Sequence, residues 1–513
     1  MDVLTTALAS GRVRYTLCAL LVCTAVAARR SARARQLALL LASWLFYAGW
    51  GAAFLAVLIF SSAMNYSLGA LLRKRVTAGC LWAGVAANIA LLGFFKYGTT
   101  ALVADPRLGF IHVFARPIGM SFWTFQALSY LFDIYREEEL NPSLLEFCLY
   151  MAFAPTVITG PICRLPALLP QFRQPISPTG SDISVGVSRV LQGLFMKMVV
   201  AEILGAGWQP GAGVNAAFDR VNQPLGGLDV WFLVIGFGFQ LFFDFAGYSH
   251  IVIGAARLIG IRLEENFDKP YLSPTPAAFW TRWHMSLSSW IRDYVFLPMA
   301  SLRRGRWWAY VSLFLSMVIV GLWHEAKATF IVWGAYHGIL LVSHRIGQQM
   351  KRSLSYQMPR KVGIALSGVA TFCLVSVGWL FFRAPTISQA LRMFRAMLMP
   401  KSYVVLSLPL TYYAITSAVV LGWALCQVAE TLLNRWRTMQ KEAPIAETPG
   451  IVSPLSLKNV GLNVAALELV EFGASRKWWW LGPLIVVIGL FTGLAINDLR
   501  PAAPRTPFMY TLF

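Results

Sequence analysis

Ser316-Met-Val-Ile-Val-Gly-Leu-Trp-His324-Glu-Ala-Lys-Ala-Thr-Phe-Ile-Val-Trp-Gly-Ala-Tyr-His337-Gly338 is an apolar, aromatic run that carries two histidines. Helix-length apolar sequence that ends in an ionisable residue marks a functional position, because hydrocarbon tolerates such groups only where protein or water surrounds them. Apolar neighbours favour the neutral imidazole that a general base must be. The competing reading is a core histidine bonded to a carbonyl, and the run alone does not separate the two. His337 lies 13 residues past His324. On one continuous helix it would turn well away, so either the two act separately or a break near Glu325 to Lys327 divides two helices. Upstream, Phe279-Trp-Thr-Arg-Trp-His284-Met-Ser-Leu-Ser-Ser-Trp-Ile-Arg-Asp293-Tyr adds a third histidine.

Composition sets the class. Of 513 residues, 57% are hydrophobic and 13% charged, and the mean hydropathy is +0.59, so the chain is a multi-span integral membrane protein. The net charge of +21 does not point to nucleic acid. Its Lys and Arg residues sit in short clusters between apolar runs, as at Arg73-Lys74-Arg75 and Arg303-Arg304 with Arg306, which is the pattern of cytoplasmic loops. The seven cysteines show no paired C-x-x-C spacing and no nearby histidine at ligand spacing, so neither a disulfide framework nor a metal site is expected.

Apolar blocks follow one another along the chain. Residues 15–28 suggest a short first membrane segment, and 37–72 two helices joined near Tyr47-Ala-Gly-Trp50-Gly. Further blocks fall near 78–97, 117–135, 144–162, 186–206, 228–261, 308–324, 328–343, 362–382, 404–427 and 478–496. Pro155, Gly160 and Pro161 interrupt one block, Lys197 and Glu202 mark another, and Asp244 lies inside a third, so some segments are expected to be re-entrant or horizontal. The prediction is an all-α polytopic protein of about 10 to 12 crossings, one domain over 1–513, with residues 428–477 as an extramembrane loop.

Trp280, Trp283, His284, Leu287 and Trp290 recur at helical spacing and predict one side of an amphipathic helix, with Arg282 off that side and a start at Ser273-Pro-Thr275-Pro276. An interfacial tryptophan belt is the bland alternative. Asp244, set among aromatics, must be protonated, paired or wet, with His250 and Arg257 as candidate partners. No G-x-S-x-G elbow, phosphate-binding glycine loop or H-E-x-x-H occurs. What remains is histidine chemistry in a membrane cavity, suited to deprotonating a hydroxyl for attack on an activated acyl carbonyl.

With those residues in hand, the chain resembles the membrane-bound O-acyltransferase family, and within it the branch that acetylates alginate. The stretches that carry the resemblance include Leu41-Ala-Ser-Trp-Leu-Phe-Tyr47, Pro117-Ile-Gly-Met-Ser-Phe-Trp-Thr-Phe-Gln126, Thr159-Gly-Pro-Ile-Cys-Arg164, Phe243-Asp-Phe-Ala-Gly-Tyr-Ser249, Glu265-Asn-Phe-Asp-Lys-Pro-Tyr271, Arg282-Trp-His284, Gly321-Leu-Trp-His324, Trp333-Gly-Ala-Tyr-His337-Gly338 and Val377-Gly-Trp-Leu-Phe-Phe-Arg383. The tail Pro507-Phe-Met-Tyr-Thr-Leu-Phe513 looks like a variant of that branch's aromatic C-terminus.

The resemblance implies a ring of membrane helices around a thinned centre with horizontal helices, and a tunnel joining the two faces. It implies that His324 is the family's essential histidine and that His284 lines the same cavity. Trp283 and Trp323 would wall the tunnel, with Arg282, Asp244, His337 and Asp293 in support. No bound cofactor is implied; an acyl thioester such as acetyl-CoA would be a substrate. The implied partners are the lipid bilayer, an extracytoplasmic acetyltransferase protein and a polysaccharide acceptor, with the chain in the bacterial cytoplasmic membrane. Departures from the family pattern are Glu325 where Gly is usual, His250 where Asp is usual and Thr281 where Arg is common. D-alanyl transfer toward teichoic acid is the nearest rival. A transporter or polysaccharide conduit is the rival of another class, although the hydropathy shows no inverted repeat.

Overall fold

The computed structural model of the chain describes residues 22, 31–98, 117–174, 178–207, 213–219, 225–353 and 359–442. No strand occurs among the described residues. In chain order the helices are α1 (Ala32–Tyr47), α2 (Ala52–Lys74), α3 (Ala78–Gly93), α4 (Met120–Tyr135), α5 (Leu144–Ala152), α6 (Leu165–Arg173), α7 (Gly180–Phe195), α8 (Glu202–Ala206), α9 (Val214–Asp219), α10 (Gly227–Leu258), α11 (Pro276–Trp280), α12 (Met285–Ile291), α13 (Leu297–Ser301), α14 (Arg306–His324), α15 (Ala328–Ser353), α16 (Arg360–Arg383), α17 (Ile387–Leu398) and α18 (Leu410–Glu442). Wider π-helical turns at Phe94–Gly98, Met196–Ala201 and Arg292–Phe296 continue α3, α7 and α12.

Seven helices among the described residues are long and apolar enough to cross a membrane. The joint expected inside 37–72 is a single 3₁₀ turn at Ala48–Trp50, followed by Gly51 at φ +148°. The block at 144–162 is helical only to Ala152, and the segment with Pro155, Gly160 and Pro161 is irregular. With nine residues, α5 is far short of the roughly 20 a crossing needs. Its start is a capping box between Ser143 and Glu146, and Arg173 of α6 clasps the same carboxylate at 2.8 Å, which ties two short helices together.

Three expectations need correction. The single amphipathic helix over 279–291 is two helices, α11 and α12, because His284 takes a left-handed backbone at φ +43° between them. Thr275 does cap α11, accepting from the Ala278 N–H as the Ser-Pro-Thr-Pro start predicts. Residues 428–442, expected as loop, are the last turns of α18, which continues to Glu442. Asp244 pairs with Lys197 rather than with His250 or Arg257; Arg257 instead holds Asp182 at 2.7 Å. The segment 15–28 lies outside the described residues except for residue 22, and the rest of the 428–477 loop, the block at 478–496 and the aromatic tail lie wholly outside them.

The chain divides into two compact units. Among the described residues, one comprises those up to Gly193 with Phe245–Leu391, and the other Leu194–Asp244 with those from Arg392 to Glu442. In the first unit α14 and α15 pack side by side with almost no separation at two points. A Cβ on Gly321 would run into the Phe330 carbonyl oxygen, and one on Gly334 into that of Met317. Small residues that let backbones touch are how helices associate where lipid offers no hydrophobic drive. In the second unit, the α10 N-terminus is capped by Asp229, whose carboxylate accepts from the N–H groups of Gly226 at 2.8 Å and Ser407 at 3.0 Å.

Candidate active site

His324 is the last residue of α14, and Glu325 turns extended immediately after it. The Glu-Ala-Lys break therefore separates α14 from α15, so His337 sits on a second helix. That break brings the two histidines to one aromatic cluster. The His324 ring lies 5.3 Å from Trp333 and 5.1 Å from Phe382, and the His337 ring lies 5.1 Å from the same Trp333 and 5.2 Å from Trp280. His324 is 8% exposed and His337 1%, so both imidazoles are dry.

His284 joins from the other side. Its ring stacks on Phe122 at 6.3 Å and meets Phe245 edge-on at 4.7 Å. Phe122 is also 6.2 Å from Trp323, whose ring is 4.7 Å from His324. Burial pushes the His284 imidazole down to about 3, so the ring is neutral at any physiological pH. All three histidines and their aromatic neighbours belong to the first unit.

The other expected residues are distributed more widely. Trp283 is buried in a stack with Phe279 at 5.5 Å and Trp379 at 4.9 Å, behind His284. Arg282 lies half-buried in the turn between α11 and α12, its carbonyl accepting from the Asp268 N–H at 3.0 Å. Asp293 is held by Arg164 at 2.7 Å and Arg292 at 2.6 Å. Burial alone would raise its carboxyl, but those two guanidiniums hold it below the ordinary range. Beside it, Tyr294 donates to Asp133 at 2.6 Å, with Arg136 and Arg164 both over the tyrosine ring at about 5 Å. Asp293 thus anchors a guanidinium cluster just past the end of α12. Asp244 lies in the second unit with Lys197. Glu325 pairs with Lys327 at 2.9 Å, and Thr281 bonds back to the Ala278 carbonyl at 2.8 Å.

Two residues at the site were not singled out from sequence. Lys96, on the π turn that closes α3, donates to the carbonyls of Trp323 and His324. Its signal was present: a lysine in the apolar run Leu92-Gly-Phe-Phe-Lys96. Asn266 accepts from the turn that carries His284, and in sequence it is one letter of the stretch Glu265-Asn-Phe-Asp-Lys-Pro-Tyr271. No group of three or more potential ligands that could hold a metal ion occurs among the described residues.

Dry histidines among aromatic rings can take a proton from a hydroxyl. Comparison with known proteins points to acyl transfer. The model of the membrane-bound O-acyltransferase family matches residues 119–384, which span α4 to the end of α16. A second model, of a family of unknown function (DUF5989), matches residues 465–513. The probable alginate O-acetylase AlgI of Pseudomonas aeruginosa is 35% identical over 71% of this chain and 70% of its own. The peptidoglycan O-acetyltransferase of Helicobacter pylori is 31% identical over 71% and 73%. The teichoic acid D-alanyltransferase of Streptococcus thermophilus is 31% identical, over 52% of this chain and 68% of its own.

Proposed function

The chain belongs to the membrane-bound O-acyltransferase family and is a multi-pass membrane O-acyltransferase, and from that premise we propose that it transfers acetyl groups from a cytoplasmic thioester, such as acetyl-CoA, for O-acetylation of an exported, alginate-like polysaccharide. His324 is the general base. One of its ring nitrogens takes the proton of the acceptor hydroxyl as the hydroxyl oxygen attacks the acyl carbonyl carbon; the carbon–sulfur bond breaks and the leaving thiolate takes the proton. His284 faces the same reacting groups, and Trp323 and Trp283 keep water out. The acceptor hydroxyl belongs to the polysaccharide or to an extracytoplasmic acetyltransferase partner that passes the acetyl on, with the chain in the bacterial cytoplasmic membrane.

The observation that carries this reading is the burial of His324 at the end of a membrane-length helix, within an aromatic cluster that also seats His284. General acid–base catalysis contributes roughly a hundred- to ten-thousand-fold. Ester content of the host's exopolysaccharide, measured in a deletion strain carrying wild type or His324→Ala at equal membrane abundance, should therefore be restored by the first and not by the second. Restoration by both would remove His324 from the mechanism. D-alanyl transfer toward teichoic acid is the second reading, supported by the similarity to the Streptococcus thermophilus enzyme. Membranes supplied in turn with labelled acetyl and labelled D-alanyl donors separate the two, since only the true acyl group would become hydroxylamine-labile ester.

A further inference from the structure

Asn266 has no part in the mechanism above, yet it is completely buried and grips the left-handed turn at His284 from both its backbone and its side chain. The Met285 N–H donates to the Asn266 main-chain carbonyl at 2.9 Å. The side-chain Oδ1 faces the Ser286 backbone nitrogen at 3.3 Å, the Ser286 hydroxyl at 3.0 Å and His284 Nδ1 at 3.1 Å. The Nδ2 group donates to the Ser249 hydroxyl at 3.3 Å.

These contacts settle two hydrogen positions that coordinates alone leave open. A backbone N–H can only donate, so the amide atom that faces Ser286 must be the oxygen. A carbonyl oxygen can only accept, so His284 Nδ1 must carry the hydrogen. In a neutral imidazole the other nitrogen is then an acceptor. That nitrogen, Nε2, is buried with no hydrogen-bond partner among the described residues.

We propose that Asn266 is a positioning residue of the transfer reaction: it locks His284 as the Nδ1–H tautomer, so that Nε2 presents a lone pair to a hydrogen-bond donor of the acceptor beside the reacting hydroxyl. In this state His284 cannot donate to the acyl carbonyl; it accepts from a neighbouring donor of the bound acceptor and so orients it, leaving the single proton of the reacting hydroxyl to His324. The Asn266 amide does for the ring what a carbonyl behind a metal-bound histidine does, fixing both tautomer and angle. The inference rests on the reading that His284 faces the reacting groups, but its test does not depend on that reading.

The test is ¹⁵N NMR of the full chain in lipid nanodiscs with labelled histidine, the His284 signals being identified by their loss in His284→Gln. Protonated Nδ1 with bare Nε2 is expected in the wild type, and protonated Nε2 would overturn the proposal whatever the activity data show. Two variants carry the functional half. Asn266→Leu removes the acceptor and should lower turnover by about a hundredfold with the donor KM unchanged. Asn266→Asp puts a carboxylate against Nδ1–H, which favours the protonated ring, so the acid limb of the pH profile should move up by about one unit or more with turnover retained above it. His324 is an ionisable group of the same aromatic cluster, and the Phe122 and Phe245 rings close two other sides, so the His284 ¹⁵N signals are followed over the same pH range to assign the limb to His284. If both Asn266 variants reach wild-type abundance and the acid limb stays in place, Asn266 is structural only. If Asn266→Leu does not accumulate, the wild-type spectrum and Asn266→Asp still decide. Loss of function in His324→Ala with the His284 tautomer reversed would sink this inference alone and leave the proposed activity standing.

Discussion

At the scale of single residues, the position of His324 depends on a lysine that carries no chemistry of its own. α14 ends inside the aromatic cluster, so its last carbonyls have no helical partner and must be satisfied there. Lys96 does so, donating to the Trp323 carbonyl and to that of His324 at 3.1 Å, with its ammonium 5.7 Å over the Trp323 ring. A cation at a helix C-terminus also opposes the negative end of the dipole. Lys96→Met leaves those carbonyls without that donor, at a cost of about 1–3 kcal/mol, and frees the last turn to shift. A misplacement of about 1 Å can lose a hundredfold in rate, so turnover should fall roughly tenfold or more and the melting temperature should drop. Lys96→Arg, which keeps the charge and the donors, should recover most of both. Wild-type turnover in Lys96→Met would mean that the packing of Trp323 alone places the histidine.

At the scale of elements, the α14–α15 pair sets the distance between His324 and His337, and the glycines set the pair. A side chain at Gly334 would have to displace the Met317 backbone, and overpacking of this kind costs about 1–3 kcal/mol. Gly334→Leu should therefore reduce both melting temperature and acyl transfer, whereas Gly347→Leu, on the same helix with nothing within 4 Å of its Cβ, should leave both near wild type. Equal effects of the two would show that helix propensity, not close approach, is being measured. The same elements mark what the sequence made legible. The break after His324 was readable because Glu-Ala-Lys interrupts an apolar run, and the long apolar helices were readable from length and hydropathy. The break at His284 was not, because the tryptophan spacing runs on in helical register through it. What bends the backbone there is Asn266, 18 residues upstream, and a tertiary bond leaves no periodic trace. Asp244 was misassigned for a similar reason, since its partner Lys197 is 47 residues away while His250 and Arg257 were merely near in sequence. The three histidines were visible as ionisable groups in apolar sequence; that they share one cluster depended on Phe122 and Trp333 bridging them.

At the scale of the whole molecule, sidedness decides where chemistry meets each substrate. α14 has 19 residues, which at about 1.5 Å each span roughly 28 Å, close to the roughly 30 Å of the hydrocarbon core. Arg303, Arg304 and Arg306 stand at its first end and His324 at its last. Basic clusters of this kind stay on the cytoplasmic side, which puts His324 toward the opposite face, the one from which the proposed exported acceptor would arrive. On the proposed function, a cytoplasmic donor would have to present its acyl group across much of the membrane thickness, while an exported acceptor would need little travel. Single cysteines test this in a chain whose native cysteines have been replaced, using a membrane-impermeant maleimide on intact cells. Ala326→Cys, in the exposed turn just past His324, should react from outside, and Arg304→Cys should react only after permeabilisation. The opposite pattern would place the catalytic end of α14 on the cytoplasmic side, where donor and base would meet directly and the acceptor, not the acyl group, would have to enter the membrane to be acylated.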